Sequence, residues 1–285
     1  MKPTDCRYES NGLSLHYVAW GQSDAPTVII HHGFLDQCRA WDPVARLLCN
    51  DYRIIVVDAR GHGDSDWVGH GGSYYFPDYI YDLHMLIQTL ECENLVLLGH
   101  SMGGAVVTYY GGSFPENTVG IVNIEGLGPP RGFSLPANLH MQTFVRTTHH
   151  HSENRTRKPM ESVEYAAERI QKADILINEE LALVLAHHAT RPHPEGGVIW
   201  KYDPLHRARS GVPFLPETAA ELWRNITVPV LHIQGQKSGF KLDDMRDRSS
   251  HFCDFREVSI DDAGHNLHAH QPQALVDVVL NERFS

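Results

Sequence analysis

The stretch "NLVLLGHSMGGAVVTYYGG", residues 94–112, decides how this chain is read. Its first part is a nearly continuous apolar run, the pattern of a strand buried on both faces. From Met102 onward the apolar residues recur at helical spacing. Between the two lies Gly99-His100-Ser101-Met102-Gly103, a GxSxG at a strand-to-helix junction. A serine at so sharp a turn is held in strained backbone geometry with its hydroxyl exposed above the sheet. Glycines two residues before and after it let strand and helix pass closely without side-chain clash. The amino end of the following helix favours negative charge that develops beside the hydroxyl. Ser101 is the candidate nucleophile.

The same alternation continues in both directions. "TVIIHHG" (27–33), "RIIVVDARG" (53–61) and "VGIVNIEG" (119–126) are further apolar runs that end in glycine or polar residues. "LSLHYVAWG" (13–21) alternates apolar and polar residues, as a half-exposed edge strand does. Helical spacing separates these runs in "AWDPVARLLC" (40–49) and "PDYIYDLHMLIQTLE" (77–91). Such alternation implies an α/β fold: a mainly parallel sheet, helices on both faces, and binding at the carboxyl ends of the strands. From about residue 128 to 223 the rhythm changes to three helical patterns joined by polar and proline-bearing loops. "VPVLHIQG" (228–235) and "FREVSI" (255–260) return to buried strands, and "PQALVDVVLNERF" (272–284) closes the chain with a helix. The expected organisation is a core of residues 1–127 and 224–285 with a helical cap, 128–223, inserted in it.

Composition bounds the partners. The chain has 285 residues, 42% hydrophobic and 21% charged, an ordinary globular balance with ample core. Acidic residues outnumber basic ones 35 to 24, for a net charge of −11, which repels phosphate backbones and argues against nucleic acid. No apolar run approaches a membrane span, and "MKPTDCRYESNG" lacks the pattern of a signal peptide. Five scattered cysteines (Cys6, Cys38, Cys49, Cys92, Cys253) without CxxC pairing fit free thiols, so a cytoplasmic location is expected. The histidine run 149–151, with His187 and His188, could suggest metal. Adjacent histidines point to different sides of a helix, so surface histidine is the reading and no metal site is expected.

Two further motifs complement Ser101. "HHGF" (31–34) ends an earlier strand, and a His-Gly turn beside a nucleophile can present the next backbone amide to an oxyanion. The amides of Phe34 and Met102 are the expected oxyanion donors. "DAGHN" puts His265 on the loop after the last strand, from which an imidazole can reach the serine as general base. His268 and His270 compete with it but lie closer to the helix that begins near Pro272.

Taken in order, "HHGF", "DARGHGDSD" (58–66), "GHSMGG" and "AGH" resemble the α/β-hydrolase superfamily across essentially the whole chain. The resemblance implies a triad in the order serine, acid, histidine. It makes "DARGHGDS" a structural turn in which Asp58 and Arg60 brace loops. A serine at position 101 argues against the dehalogenase and epoxide-hydrolase branches, which carry aspartate there. "EGLGPP" (125–130) and "WKYDP" (200–204) are also similar to serine hydrolase-like proteins.

The acid departs from the common pattern. In the superfamily it usually sits three or four residues after the glycine that ends strand seven, and here those positions are Ser238 and Gly239. The next carboxylates, Asp243 and Asp244, lie further along, where a helix is expected. In some branches the acid ends strand six instead, which makes Glu125 the candidate. A carboxylate that closes an apolar run is costly to bury unless partnered, and a histidine would be such a partner. The expected activity is hydrolysis of a small-molecule carboxylic ester with an apolar acyl group, through an acyl-enzyme and without a cofactor. Phe34, Trp200 and Tyr202 are the expected substrate-binding residues, with Phe144, Phe214 and Trp223 as further cap aromatics. A carbon–carbon bond hydrolase and a slow-turnover ligand receptor are the alternatives that the same residues allow.

Overall fold

A computed structural model describes residues 2–130, 135–153, 158–282 and 284. Eight strands form one sheet: β1 (Thr4–Ser10), β2 (Leu13–Trp20), β3 (Thr27–His31), β4 (Arg53–Val57), β5 (Leu95–His100), β6 (Thr118–Ile124), β9 (Val230–Gly235) and β10 (Phe255–Ile260), in the spatial order β1-β2-β4-β3-β5-β6-β9-β10. β1 pairs with β2, and β2 with β4, in antiparallel fashion. All other pairs are parallel. The central strands β3 and β5 are buried along their full length, which is why they read as unbroken Val/Ile/Leu runs. β2 is not the edge strand its alternation suggested. β1 covers it, and the polar positions of 13–21 face neighbours rather than water.

Each face of the sheet carries its own apolar layer. Against one face pack α1 (Asp42–Leu48), the short α9 (Leu267–His270) and α10 (Pro272–Asn281), around Trp41, Leu48 and Leu275. Against the other pack α2 (Phe76–Leu90), α3 (Met102–Ser113) and, further along the chain, α7 (Pro216–Arg224), around Leu86, Val107, Tyr110 and Trp223. The closing helix stops at Asn281, and Arg283 lies outside the described residues. The short helix α8 (Met245–Ser249) precedes β10, with Asp244 just before its first residue.

Between β6 and β9 lie α4 (Ala137–Glu153), α5 (Val163–Ala173) and α6 (Glu179–Ala189), followed by α7. The segment is not helical throughout: β7 (Thr190–Pro192) and β8 (Val198–Trp200) form an antiparallel ribbon. Each strand is only three residues long, too short for a periodic signal, and Gly196 and Gly197 turn the chain at positive φ. α5, α6 and Met160 close a small apolar cluster of their own around Ala166, Ile177 and Ala182.

This segment is tied to the 58–66 turn by polar contacts. Trp67 Nε1 donates to the Lys201 carbonyl (2.8 Å), Lys201 Nζ pairs with Asp64 (2.7 Å), and the Asp203 amide donates to the Gly61 carbonyl (2.8 Å). Tyr74 donates to Asp203 Oδ2 (2.8 Å). The turn itself is braced by Asp58, whose oxygens accept from the amides of Cys38 (2.7 Å) and Asp64 (2.9 Å) and from His16 Nδ1 (2.7 Å). Arg60 is clamped by Asp82 through two 2.6 Å bonds. No helix among the described residues is long and apolar enough to cross a membrane.

Candidate active site

Ser101 occupies the junction of β5 and α3 with φ 51 and ψ −114, a conformation that side chains other than glycine adopt at a cost of roughly 1–3 kcal/mol. The turn tolerates no bulk around it: a Cβ on Gly103 would run into the His31 carbonyl oxygen. The Ser101 amide donates to the Ile124 carbonyl at 2.8 Å, which fixes the turn against the end of β6. Ser101 Oγ makes no hydrogen bond among the described residues, so the hydroxyl is available for chemistry.

Glu125 follows β6 directly, only 3% exposed, with the positive φ of 47°. Three donors converge on its carboxylate. The Gly235 amide donates to Oε1 (2.8 Å), while Ser238 Oγ (2.7 Å) and His265 Nδ1 (2.5 Å) donate to Oε2. Because Nδ1 carries the hydrogen, the other ring nitrogen of His265 keeps its lone pair. The ring remains partly exposed, beside Phe240 at 5.1 Å between centroids. Asp243 and Asp244 do not join this cluster, and Asp244 instead pairs with Arg248 Nε at 2.9 Å.

His100, the variable position inside GxSxG, links the serine turn to the histidine loop. Its Nε2 donates to the His265 carbonyl at 2.9 Å, and the two rings lie 4.7 Å apart. Burial, reinforced by His268 and His265, holds its pKa well below the usual histidine range. It is a neutral prop for the backbone of residue 265. Nothing in the residue pattern marks this role beyond adjacency to Ser101.

The competing histidines are occupied elsewhere. His268 stacks on Trp41, with ring centroids 4.2 Å apart, and lies 3.4 Å from Asp36. His270 accepts from the Gly264 amide (3.1 Å) and donates to Asp174 (3.0 Å). The amides of Phe34 and Met102 donate no hydrogen bond among the described residues. The loop that carries Phe34 is held by His32, which donates from Nδ1 to the Gly33 carbonyl (2.6 Å) and accepts from the Ala59 amide (3.0 Å).

Comparison with known proteins agrees with this architecture. Residues 26–161 match the family model described as the alpha/beta hydrolase fold. The solved thioesterase domain from the curacin biosynthetic pathway superposes with a TM-score of 0.86 at 26% identity, covering 98% of this chain and 100% of that one. The chain belongs to the α/β-hydrolase superfamily. Among named relatives of this α/β hydrolase, the serine hydrolase-like protein of Danio rerio is 24% identical over 91% of this chain and 82% of its own length. Mouse epoxide hydrolase 4 is 31% identical, but over only 42% of this chain and 33% of its own.

Two cavities flank the site. The larger, about 730 Å³, is walled by Phe34, Met102, Tyr74, Phe144, Arg209 and Phe214. The smaller, about 360 Å³, is walled by Phe34, Trp200, Tyr202, Asp174, Asn266 and His268. Ser101 and His265 line neither, but each cavity reaches the residue next to one of them, Met102 and Asn266. Trp200 and Tyr202 therefore stand apart from Phe144 and Phe214, and Tyr202 is largely buried, its hydroxyl accepting from Arg207 at 2.8 Å. Trp223 is no pocket residue. It is 2% exposed and stacks on Phe252 in the core beneath. Among the described residues, the group whose atoms could hold a metal is not the 149–151 run but buried His16, Cys38 and Asp58. There the Asp58 oxygens are already engaged by the amides and imidazole named above.

Proposed function

We propose that this α/β hydrolase is a serine hydrolase that cleaves a carboxylic ester through an acyl-enzyme. The observation that carries the reading is the hydrogen bond from His265 Nδ1 to Glu125, on a loop whose backbone is held at the His265 carbonyl by His100, the residue before Ser101. His265 Nε2 takes the Ser101 proton as Oγ attacks the ester carbonyl carbon, and Glu125 stabilises the imidazolium. The Phe34 and Met102 amides, otherwise uncommitted, hold the oxyanion. The bond to the alcohol breaks as His265 gives its proton to the leaving oxygen. Water then attacks the acyl carbonyl, losing its proton to His265, and the released Ser101 Oγ recovers that proton as the acid departs.

Residues 128–223 act as a cap over this centre. The larger cavity takes the acyl chain along Phe34, Phe144 and Phe214, and the smaller one, with Trp200 and Tyr202, takes the alcohol side. Five free cysteines support a reducing, cytoplasmic setting. The full-length likeness to a thioesterase domain favours a thioester as the second reading. Fluorophosphonate labelling followed by a panel of oxygen esters, thioesters and β-diketones tests both. The expected result is labelling and turnover that vanish together in Ser101→Ala. Labelling that persists in that variant overturns the nucleophile, and turnover of β-diketones alone overturns the ester.

A further inference from the structure

The loop that carries His265 is gripped from the cap side as well as from the core. Asp174 ends α5, and its Oδ1 accepts from the Leu176 amide at 3.1 Å, which fixes the carboxylate relative to its own helix. Its Oδ2 accepts from Asn266 Nδ2 at 2.7 Å and from His270 Nε2 at 3.0 Å. His270 in turn accepts from the Gly264 amide at 3.1 Å. The residues held in this way, 264 and 266, are the two immediate neighbours of His265. Its side chain is bound by a different element, the carboxylate of Glu125 after β6. Packing reinforces the polar contacts: a Cβ on Gly264 would crowd Leu176 Cδ1 and the His270 ring.

We infer that Asp174 is a positioning residue for His265, so that the imidazole is correctly posed only while α5 of the cap is seated on the histidine loop. The inference rests on the proposed role of His265 as base. Two independent anchors, Glu125 in the core and Asp174 in the cap, fix the ring end and the backbone end of one residue. A base displaced by about 1 Å loses on the order of 100-fold in rate, because proton transfer requires hydrogen-bond reach of the serine. Burial alone would raise the Asp174 carboxyl, but the bonds from His270 and Asn266 hold it down at about 2. Asp174 is therefore a carboxylate across the neutral range and accepts both bonds as an anion.

The test uses the full chain and one good ester. Asp174→Ala should lower kcat by on the order of 10- to 100-fold, well beyond any change in KM: Asp174 also borders the smaller cavity, but its hydrogen bonds go to the loop of the base. Asp174→Asn, which can still accept from His270 and Asn266, should recover most of that loss. Lys201→Ala removes a different tie between this segment and the core, the pair with Asp64, without touching residues 262–270. It should keep kcat near the wild-type value. Unchanged kcat in Asp174→Ala, a change confined to KM, or an equal fall in Lys201→Ala would each overturn the inference. Its failure is separable from that of the hydrolase reading. Absence of Ser101 labelling in the wild-type protein defeats that reading, whereas normal labelling with unchanged kcat in Asp174→Ala defeats only the positioning role.

Discussion

At the end of β6 the run "TVGIVNI" stops at Glu125, while at the end of neighbouring β9 "LHIQG" is followed by "QKSGF" without a carboxylate. Both ends reach the same histidine loop. The difference is one of roles exchanged: Ser238, where an acid commonly stands in this superfamily, donates its hydroxyl to the carboxylate that β6 supplies. Glu125 makes up the span with its extra methylene and a backbone bend at φ 47. Strain of this kind persists only where the surroundings enforce it, and here the Gly235 amide, Ser238 and His265 all hold the side chain. On the proposed reading, a triad acid is specified by the point in space where three donors meet, and either strand end can deliver a carboxylate to it.

The largest effect expected from this comparison is on turnover. Glu125→Gln should lose on the order of 10⁴ in kcat, because the imidazole loses its fixed tautomer and its charge partner. Ser238→Ala should lose about tenfold, since a buried carboxylate deprived of one of several donors forfeits roughly 1–2 kcal/mol. Asp243→Asn and Asp244→Asn should lose little, their carboxylates lying outside the cluster. Steady-state rates of the four variants on one ester would check the order, and a dead Asp244→Asn beside an active Glu125→Gln would reverse the roles of the two strand ends.

A smaller effect concerns the seam between the strands. His232 on β9 donates from Nδ1 to Asn123 Oδ1 on β6 at 3.0 Å, and Asn123 also accepts from the Gly126 amide (2.9 Å) that follows Glu125. Burial lowers the His232 pKa to about 4. The unfolded chain takes up this proton near pH 6.5, so the histidine's contribution is complete above that value and is lost as pH falls towards 4. Over that window His232 alone should cost about 1.4 kcal/mol of stability per pH unit. Denaturant unfolding of His232→Leu between pH 7 and pH 4 should show a slope shallower by about one proton than wild type. Equal slopes would mean that His232 is protonated within the fold and that the seam tolerates charge.

Much of this molecule is legible in its residues, and what escaped follows a physical pattern. β3, β5 and β6 announce themselves because strands buried on both faces must be apolar throughout, and the Ser101 turn because its glycines have no substitute. Glu125 stands out as a carboxylate closing an apolar run. The β7–β8 ribbon was not legible, since three-residue strands carry no period. β1 forms the true edge of the sheet, so the alternation of β2 suggests an exposure that the paired strand does not have. The work of His100, Ser238 and Asp174 was also invisible. Each acts through a partner distant in the chain, and no local pattern records such a contact. Trp200 and Tyr202 show the limit for pockets: aromatic content located the segment but not which of two cavities it lines.

The most direct test of the central claim is one-dimensional proton NMR of the His265 Nδ1–H, which a short bond to a carboxylate moves far downfield of the amide region. The resonance should be present in the wild-type protein, absent in His265→Ala and in Glu125→Gln, and retained in Asp243→Asn and Asp244→Asn. A downfield proton that survives Glu125→Gln, or disappears in Asp244→Asn, would show that His265 takes its partner from the β9 side and contradict the account.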